Sequence, residues 1–222
     1  MKAEDVRVCV VRIEGTNCED EMANAFEMVG AKSEKVHLKQ LLGQCDPSLK
    51  RSLEDYDVLA VPGGFSAGDY VRAGAIFASR MKAGIGKDLR TFVEEGKPVL
   101  GVCNGFQILV ELGLLPALDG VMSDEPTAAL YNNDSGRFEC RPSYLRNDNR
   151  GKCIFTSDIP KGKVLLCPSA HGEGKLMSNI PDFTSKLEEN LHQKISTYLT
   201  YFDNHLLQLY LIFLIHIQLL RF

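Results

Sequence analysis

The residues best able to do chemistry are the cysteine and the glycines of VLGVCNGFQ, residues 99–107. An apolar run ends near Gly101, and a helical pattern begins directly after Cys103. This layout is typical of a nucleophile elbow, a sharp strand-to-helix turn that exposes its nucleophile, here with sulfur in place of a hydroxyl. Gly101 and Gly105 would let the strand and the helix pass closely, because neither residue carries a Cβ atom.

The position of Cys103 before a helix predicts an activated thiol. The N–H groups of a helix N-terminus have no partner within the helix, so they stabilise a thiolate and lower the pKa of the thiol. The alternative is that Cys103 belongs to the core, since cysteine is often buried. The flanking glycines and the strand-to-helix context favour the nucleophile.

An oxyanion hole can be proposed around this cysteine. A thiolate that attacks a carbonyl carbon needs donors for the developing negative charge, a base and a substrate clamp. One donor would be the backbone N–H of Asn104. The second would be that of Gly64, in the segment PGG at 62–64, which follows another apolar run. The alternative interpretation is that PGG is only a turn.

The elements that must position these residues alternate between strand and helix through residue 115. The patterns predict strands at 6–13, 33–37, 57–61 and 98–102, and helices at 19–29, 48–55, 69–95 (interrupted near Gly84 and Gly86) and 104–112. This alternation predicts an α/β fold with a mostly parallel sheet and helices on both faces. Its site loops should follow the carboxyl ends of the strands, at 14–17, 63–69 and 103–107.

The rest of the chain has a different character. Residues 130–176 contain many turns and strand-like runs at 152–156 and 163–167, which predict an antiparallel extension beside the sheet. Residues 206–220 are strongly apolar, but they are fewer than the ~20 that a membrane span needs, so we expect a buried or misplaced helix there. The alternative is a membrane anchor. We therefore predict a domain over 1–176 and a divergent apolar tail over 177–222.

Composition narrows the class of protein. The chain has 222 residues, 45% of them hydrophobic and 24% charged, as expected of a soluble domain with one core. A net charge of −4 offers no basic surface for nucleic acid. Seven scattered cysteines without a CxxC pair, and no targeting segment at the N-terminus, predict a cytoplasmic protein with neither a disulfide framework nor a metal site.

Five ordered segments resemble the class I, or triad-type, glutamine amidotransferases, and most closely the glutaminase subunits of phosphoribosylformylglycinamidine synthases. They are VRIEGTNCED (11–20), VPGGFSAGDY (61–70), GVCNGFQ (101–107), NDSGRFEC (133–140) and AHGEG (170–174). The resemblance implies a flavodoxin-like class I glutaminase fold, in which Cys103 attacks the side-chain amide of glutamine and releases ammonia. It also implies that Gly63, Phe65, Gln107 and His171 lie near the bound glutamine.

The same resemblance implies partners. The ammonia would pass to a separate synthetase subunit, which uses ATP and magnesium to amidate formylglycinamide ribonucleotide in purine biosynthesis. A small accessory subunit would complete the assembly. The resemblance implies no cofactor in this chain itself.

The chain departs from that family at the catalytic base. The family uses a histidine in a His-Pro-Glu motif near its C-terminus, and none of the five histidines here is followed by Pro-Glu: His37, His171, His192, His205 and His216. His192 lies near the expected separation from Cys103, and His171 in its glycine-rich segment is a possible substitute base. The alternatives are thus an active glutaminase subunit and a catalytically impaired scaffold or regulatory relative.

Two further classes compete with these. One is a cysteine hydrolase or chaperone-like protein on a similar sheet. That group often places a histidine directly after its cysteine, where this chain has Asn104. The other is a binding module with Cys103 in its core, which rapid labelling of Cys103 by iodoacetamide would contradict.

Overall fold

The computed structural model describes residues 2–118, 120–147 and 153–187, together with the backbone of 199–201 and 214–215. The strands are β1 (Arg7–Arg12), β2 (Lys32–His37), β3 (Val58–Val61), β4 (Val99–Gly101), β5 (Ala129–Asn132), β6 (Glu139–Asn147), β7 (Val164–His171), β8 (Glu173–Met177), β9 (Leu199–Tyr201) and β10 (Leu214–Ile215). The helices are α1 (Glu19–Met28), α2 (Leu38–Leu41), α3 (Ala75–Glu94) and α4 (Asn104–Glu111).

The first four strands form a parallel sheet, as the alternation predicts. Their order is β4-β3-β1-β2, and β10 adds an antiparallel strand beside β4. All four residues of β3 are buried, as expected of a parallel strand that is covered on both faces. The predicted fold class is therefore confirmed.

Helices cover both faces of this sheet because successive strand residues point in opposite directions. On one face, Val8 and Val10 of β1 pack in a cluster with Met22 and Ala23 of α1. On the other face, Cys9 and the apolar strand residues that point the same way pack against α3 and α4. This second cluster is the larger one, and it supports the helix that follows Cys103.

The later part of the chain forms the antiparallel extension that its turn-rich pattern predicts. β5 pairs with β8, and β6 lies between β7 and β9. The strand predicted at 152–156 is wrong where the structure describes it, because Ile154–Thr156 forms a 3₁₀ turn.

Two helix predictions also need correction. Residues 48–55 form two 3₁₀ turns instead of one helix, because Asp46 and Ser52 each cap a separate turn with their side chains. The helix predicted from residue 69 begins only at Ala75, after a left-handed Gly74. Its predicted interruption is confirmed, since Ile85, between the two glycines, has non-helical angles (φ −125°, ψ 15°).

The tail lies mostly outside the described residues. Of the apolar run 206–220, only Leu214–Ile215 is described, and its pairing with β4 as a strand contradicts the predicted helix at those two residues. The domain division at residue 176 stays a prediction, as does the divergent nature of 177–222. None of the helices in the described part of the chain combines the length and the apolar character needed to cross a bilayer.

Candidate active site

Cys103 occupies the strand-to-helix turn that the sequence predicts. β4 ends at Gly101, α4 begins at Asn104, and Cys103 between them has a left-handed φ of 52° with ψ −113°. A non-glycine residue adopts such angles only where its surroundings enforce them. Here the enforcing contact is the close approach of α4 to β3, since a Cβ atom on Gly105 would lie 1.8 Å from the Val61 carbonyl oxygen.

The three predicted site loops meet at one edge of the sheet. Thr16 and Gly64 form an isolated antiparallel bridge, and the Cys18 N–H donates to the Gly63 carbonyl at 3.2 Å. A Cβ atom on Gly63 would lie 3.3 Å from the Cys103 Cβ, so the second loop also touches the elbow. The prediction that carboxyl-end loops converge is confirmed.

Two backbone donors act on the Cys103 sulfur. They are the N–H groups of Asn104 and Gly64, and each lowers the pKa of the thiol. These are the two groups that the sequence predicts as oxyanion donors. They approach the sulfur from α4 and from the loop after β3, so a negatively charged oxygen formed beside the sulfur would lie within reach of both.

The predicted activation of the thiol is nevertheless wrong in its net direction. Cys103 is exposed at the mouth of a cavity. Even so, enough protein surrounds the sulfur for burial to raise the pKa of the thiol above its ordinary value, outweighing the two donors. The Sγ donates to the Ala170 carbonyl at 3.2 Å, which suits a neutral thiol. A base must therefore take the proton before the sulfur can attack.

This balance sets the pH dependence of labelling at Cys103. Only the thiolate reacts with iodoacetamide, so the rate should rise through the raised pKa and reach half its maximum above the value of about 8.5 for an unperturbed cysteine. Peptide mapping after alkylation at a series of pH values measures this rate. The unfolded chain is the control, because unfolding removes the burial; equal midpoints in the two states would contradict the assignment.

The cavity beside the Cys103 sulfur lies between the parallel-sheet part of the fold and the antiparallel extension. It has a volume of about 270 Å³. Its walls come from the elbow with α4 and from the antiparallel extension: Val102, Cys103, Phe106, Gln107, Leu130, Ser143, Leu145, Cys167, Pro168, Ser169, Ala170, His171, Glu173 and Gly174. A mostly apolar cavity with a few polar groups is typical of a small-molecule site.

The other predicted site residues lie at or near this cavity. Gln107 is buried, and its Nε2 donates to the Glu173 carbonyl at 2.9 Å, so its amide already has a protein partner. Gly63 lies behind the Cys103 Cβ, whereas Phe65 is 54% exposed on the loop beside it. Their contact with substrate stays a prediction.

His171 lines the same cavity but is fixed by Asn133. The Asn133 Nδ2 donates to the carbonyls of Arg137 and His171, which leaves its Oδ1 to accept from the His171 Nδ1 at 3.0 Å. Burial lowers the pKa of His171; the charge of Glu139 opposes this effect and the charge of Arg141 adds to it, both more weakly. The imidazole is thus favoured in its neutral form, with its Nδ1 proton directed to Asn133.

Several residues at this site are not singled out by the sequence patterns. Asn17, Ser66, Asp69 and Glu173 all bond to the loop after β3 or to α4. Their sequence signals are membership of the quoted segments and, for the first three, of the predicted site loops. Neither signal names their partners, because polar residues in a turn give no sign of which distant group they will contact. His192, the other candidate base, lies outside the described residues, as do His205 and His216.

The fold and the site together define a class of protein: an amidotransferase-type α/β domain with a cysteine at its strand-to-helix turn, held opposite two backbone donors. The chain belongs to the CobB/CobQ-like glutamine amidotransferase domain family, whose model matches residues 5–208.

Relatives within this class are similar over most of the chain. The phosphoribosylformylglycinamidine synthase subunit PurQ of Archaeoglobus fulgidus is 49% identical over 180 residues, which cover 80% of this chain and 66% of the relative. The protein of the same name from Dehalococcoides mccartyi is 41% identical over 182 residues, 82% of this chain and 67% of the relative. The chain thus spans about two thirds of the length of these curated relatives.

A solved structure supports the same grouping. The structure of PurLQS from Thermotoga maritima contains a chain 33% identical to this one, with a TM-score of 0.66. The match covers 92% of this chain and 76% of that chain. The similarity therefore includes the sheet, the elbow and the antiparallel extension.

Proposed function

We propose that this chain is the glutaminase subunit of a phosphoribosylformylglycinamidine synthase, which hydrolyses glutamine to glutamate and ammonia. The observation that carries the proposal is the Cys103 sulfur, held at a strained turn between the N–H groups of Gly64 and Asn104. Relatives named as PurQ subunits support the particular assembly.

The proposed reaction begins with loss of the Cys103 proton to a base. The sulfur then bonds to the amide carbon of glutamine, and the N–H groups of Gly64 and Asn104 hold the oxyanion. The C–N bond breaks, and ammonia leaves with the proton that the base returns. Water then attacks the glutamyl thioester, which gives glutamate and restores the thiol.

The proposed partner consumes the ammonia. In this proposal a separate synthetase subunit uses ATP and magnesium to amidate formylglycinamide ribonucleotide, with a small accessory subunit in the assembly. The names of the relatives and of the Thermotoga maritima structure support such an arrangement. The chain itself would need glutamine and no cofactor, and its place would be the cytoplasm.

One observation favours the second candidate, a catalytically impaired scaffold or regulatory relative. None of the five histidines in the sequence precedes Pro-Glu. General acid–base help is typically worth about 10²–10⁴-fold in rate. Because burial keeps the Cys103 thiol protonated, a chain without a base would bind its synthetase yet hydrolyse glutamine slowly. His171, the candidate substitute base among the described residues, lines the cavity.

The two candidates separate in one assay. We expect the chain to let its synthetase subunit amidate formylglycinamide ribonucleotide with glutamine as the nitrogen donor. The synthetase alone should accept only added ammonium salts, so ammonium-dependent turnover is the control. A chain that co-purifies with the synthetase but supports no glutamine-dependent turnover would be a scaffold.

A further inference from the structure

The side chain of Asn104 is a buried amide at the centre of the site. It is 1% exposed. Its Oδ1 accepts the Ser66 N–H at 3.3 Å and the Ser66 hydroxyl at 2.5 Å, and its Nδ2 donates to Asp69 Oδ1 at 3.1 Å and to Gln107 Oε1 at 3.0 Å. Since a backbone N–H can only donate, the contact with Ser66 fixes which end of the amide is oxygen.

The segment that Asn104 holds is conformationally strained. Ala67, Gly68 and Asp69 all have left-handed φ values, of 52°, 69° and 51°. Successive left-handed residues are disfavoured, so contacts from outside the segment must maintain them. Asp69 Oδ1 accepts from both Asn104 Nδ2 and the Gly74 N–H, the latter at 3.3 Å. Asn104 therefore helps to fix the path of the chain between β3 and α3, together with the Glu14 carbonyl, which accepts the Ala67 N–H at 2.8 Å.

Gly64 lies two residues before Ser66 and is held from its other side by Asn17. The Asn17 Oδ1 accepts the Phe65 N–H at 3.1 Å, and a Cβ atom on Gly64 would lie 2.6 Å from the backbone nitrogen of Asn17. With a φ of 128°, Gly64 adopts a backbone conformation that side-chain-bearing residues rarely tolerate. The direction of its N–H thus depends on the contacts that flank it.

We propose that the Asn104 side chain is a positioning residue that keeps the Gly64 N–H directed at the Cys103 sulfur. One residue would then supply the first donor through its backbone and fix the second through its side chain. The inference rests on the proposed function, in which these donors stabilise the oxyanion. Its test needs no glutamine turnover, because alkylation of Cys103 reports on the donors directly.

The test is the pH profile of Cys103 alkylation by iodoacetamide in Asn104→Ala. The Gly64 N–H favours the thiolate, so its displacement should move the midpoint to higher pH than in the parent chain. Asn147→Ala is the matched control. This variant removes another fully buried amide, which donates to the Ile159 carbonyl over a distance of 2.7 Å. Asn147 does not belong to the elbow, so the midpoint should stay unchanged.

The direction of the shift separates this effect from neighbouring charges. Within the described part of the chain, the titratable groups around the Cys103 sulfur are Cys18, Asp69, Cys167, His171 and Glu173. The charge of Asp69 raises the pKa of Cys103, so a variant that acted by neutralising Asp69 would move the midpoint down. Asp69→Asn should show that opposite shift.

A second variant covers the case in which Asn104→Ala does not fold, as judged by thermal melting. Ser66→Ala removes only the hydroxyl donor to Asn104 and should give a smaller upward shift. An unchanged midpoint in folded Asn104→Ala, or in Ser66→Ala if the first variant is unfolded, would overturn the inference. If the midpoint of Asn104→Ala shifts upward as expected but the parent chain supports no glutamine-dependent turnover, the proposed function is rejected and this inference is retained.

Discussion

Cys103→Ala is expected to abolish glutamine-dependent ammonia release by the chain in the presence of the proposed synthetase subunit. The sulfur is the atom that would form the thioester, and no backbone donor can replace it. Removal of a nucleophile that acts together with a base and an oxyanion hole typically costs about 10⁴-fold or more in rate. Ammonia release at saturating glutamine, measured in the complex, gives this ratio.

Cys167→Ala is the matched control, because Cys167 lines the same cavity. Burial also raises the pKa of Cys167, but neither backbone donor of the elbow acts on it. This variant should retain activity within a few-fold of the parent chain. An inactive Cys167→Ala beside an active Cys103→Ala would move the nucleophile to the other wall of the cavity.

Covalent labelling extends this comparison to a chain that turns over slowly. A glutamine analogue with an electrophilic ketone should attach to Cys103 in the parent chain and in Cys167→Ala, but not in Cys103→Ala. Its attachment depends on the thiolate and on glutamine recognition, and it does not require the leaving amine to be protonated. Labelling without turnover would therefore identify the scaffold as one that still binds glutamine.

The elbow was predictable because its determinants are local. Gly101, Cys103 and Gly105 lie within five residues, and their residue types predict the turn that they form. The same holds for Gly64, whose place after an apolar strand predicts a backbone donor at the sheet edge. The parallel direction of the first four strands follows from the alternation of strands and helices.

The protonation state of the sulfur was not predictable in this way. It depends on burial by the antiparallel extension, whose Ala170 carbonyl accepts from Cys103 across 67 positions of sequence. The contact between Asn133 and His171 spans 38 positions and fixes the histidine ring. No sequence pattern indicates either pairing, because a pattern of residue types records local periodicity and not contacts between distant residues.

Gly105→Ala is expected to destabilise the fold by more than ~4 kcal/mol, the range of the most severe single substitutions. The added Cβ would lie 1.8 Å from the Val61 carbonyl oxygen and 2.6 Å from its carbon. Both atoms belong to the buried strand β3, so the side chain has no flexible neighbour to displace. Relief requires α4 to move away from β3, which would open the larger core cluster. Urea unfolding followed by circular dichroism measures the loss.

Gly86→Ala supplies the comparison, since it adds the same methyl group to a glycine in α3. The nearest atom to its Cβ would be the Met122 Cε at 3.8 Å, an ordinary contact. Alanine favours the helix by up to about 1 kcal/mol over glycine, so this variant should match or exceed the parent stability. If the free energy of unfolding of Gly105→Ala instead lies within ~1 kcal/mol of the parent value, α4 can move away from β3 at little cost in stability. The geometry of the elbow would then not be set by its contact with β3.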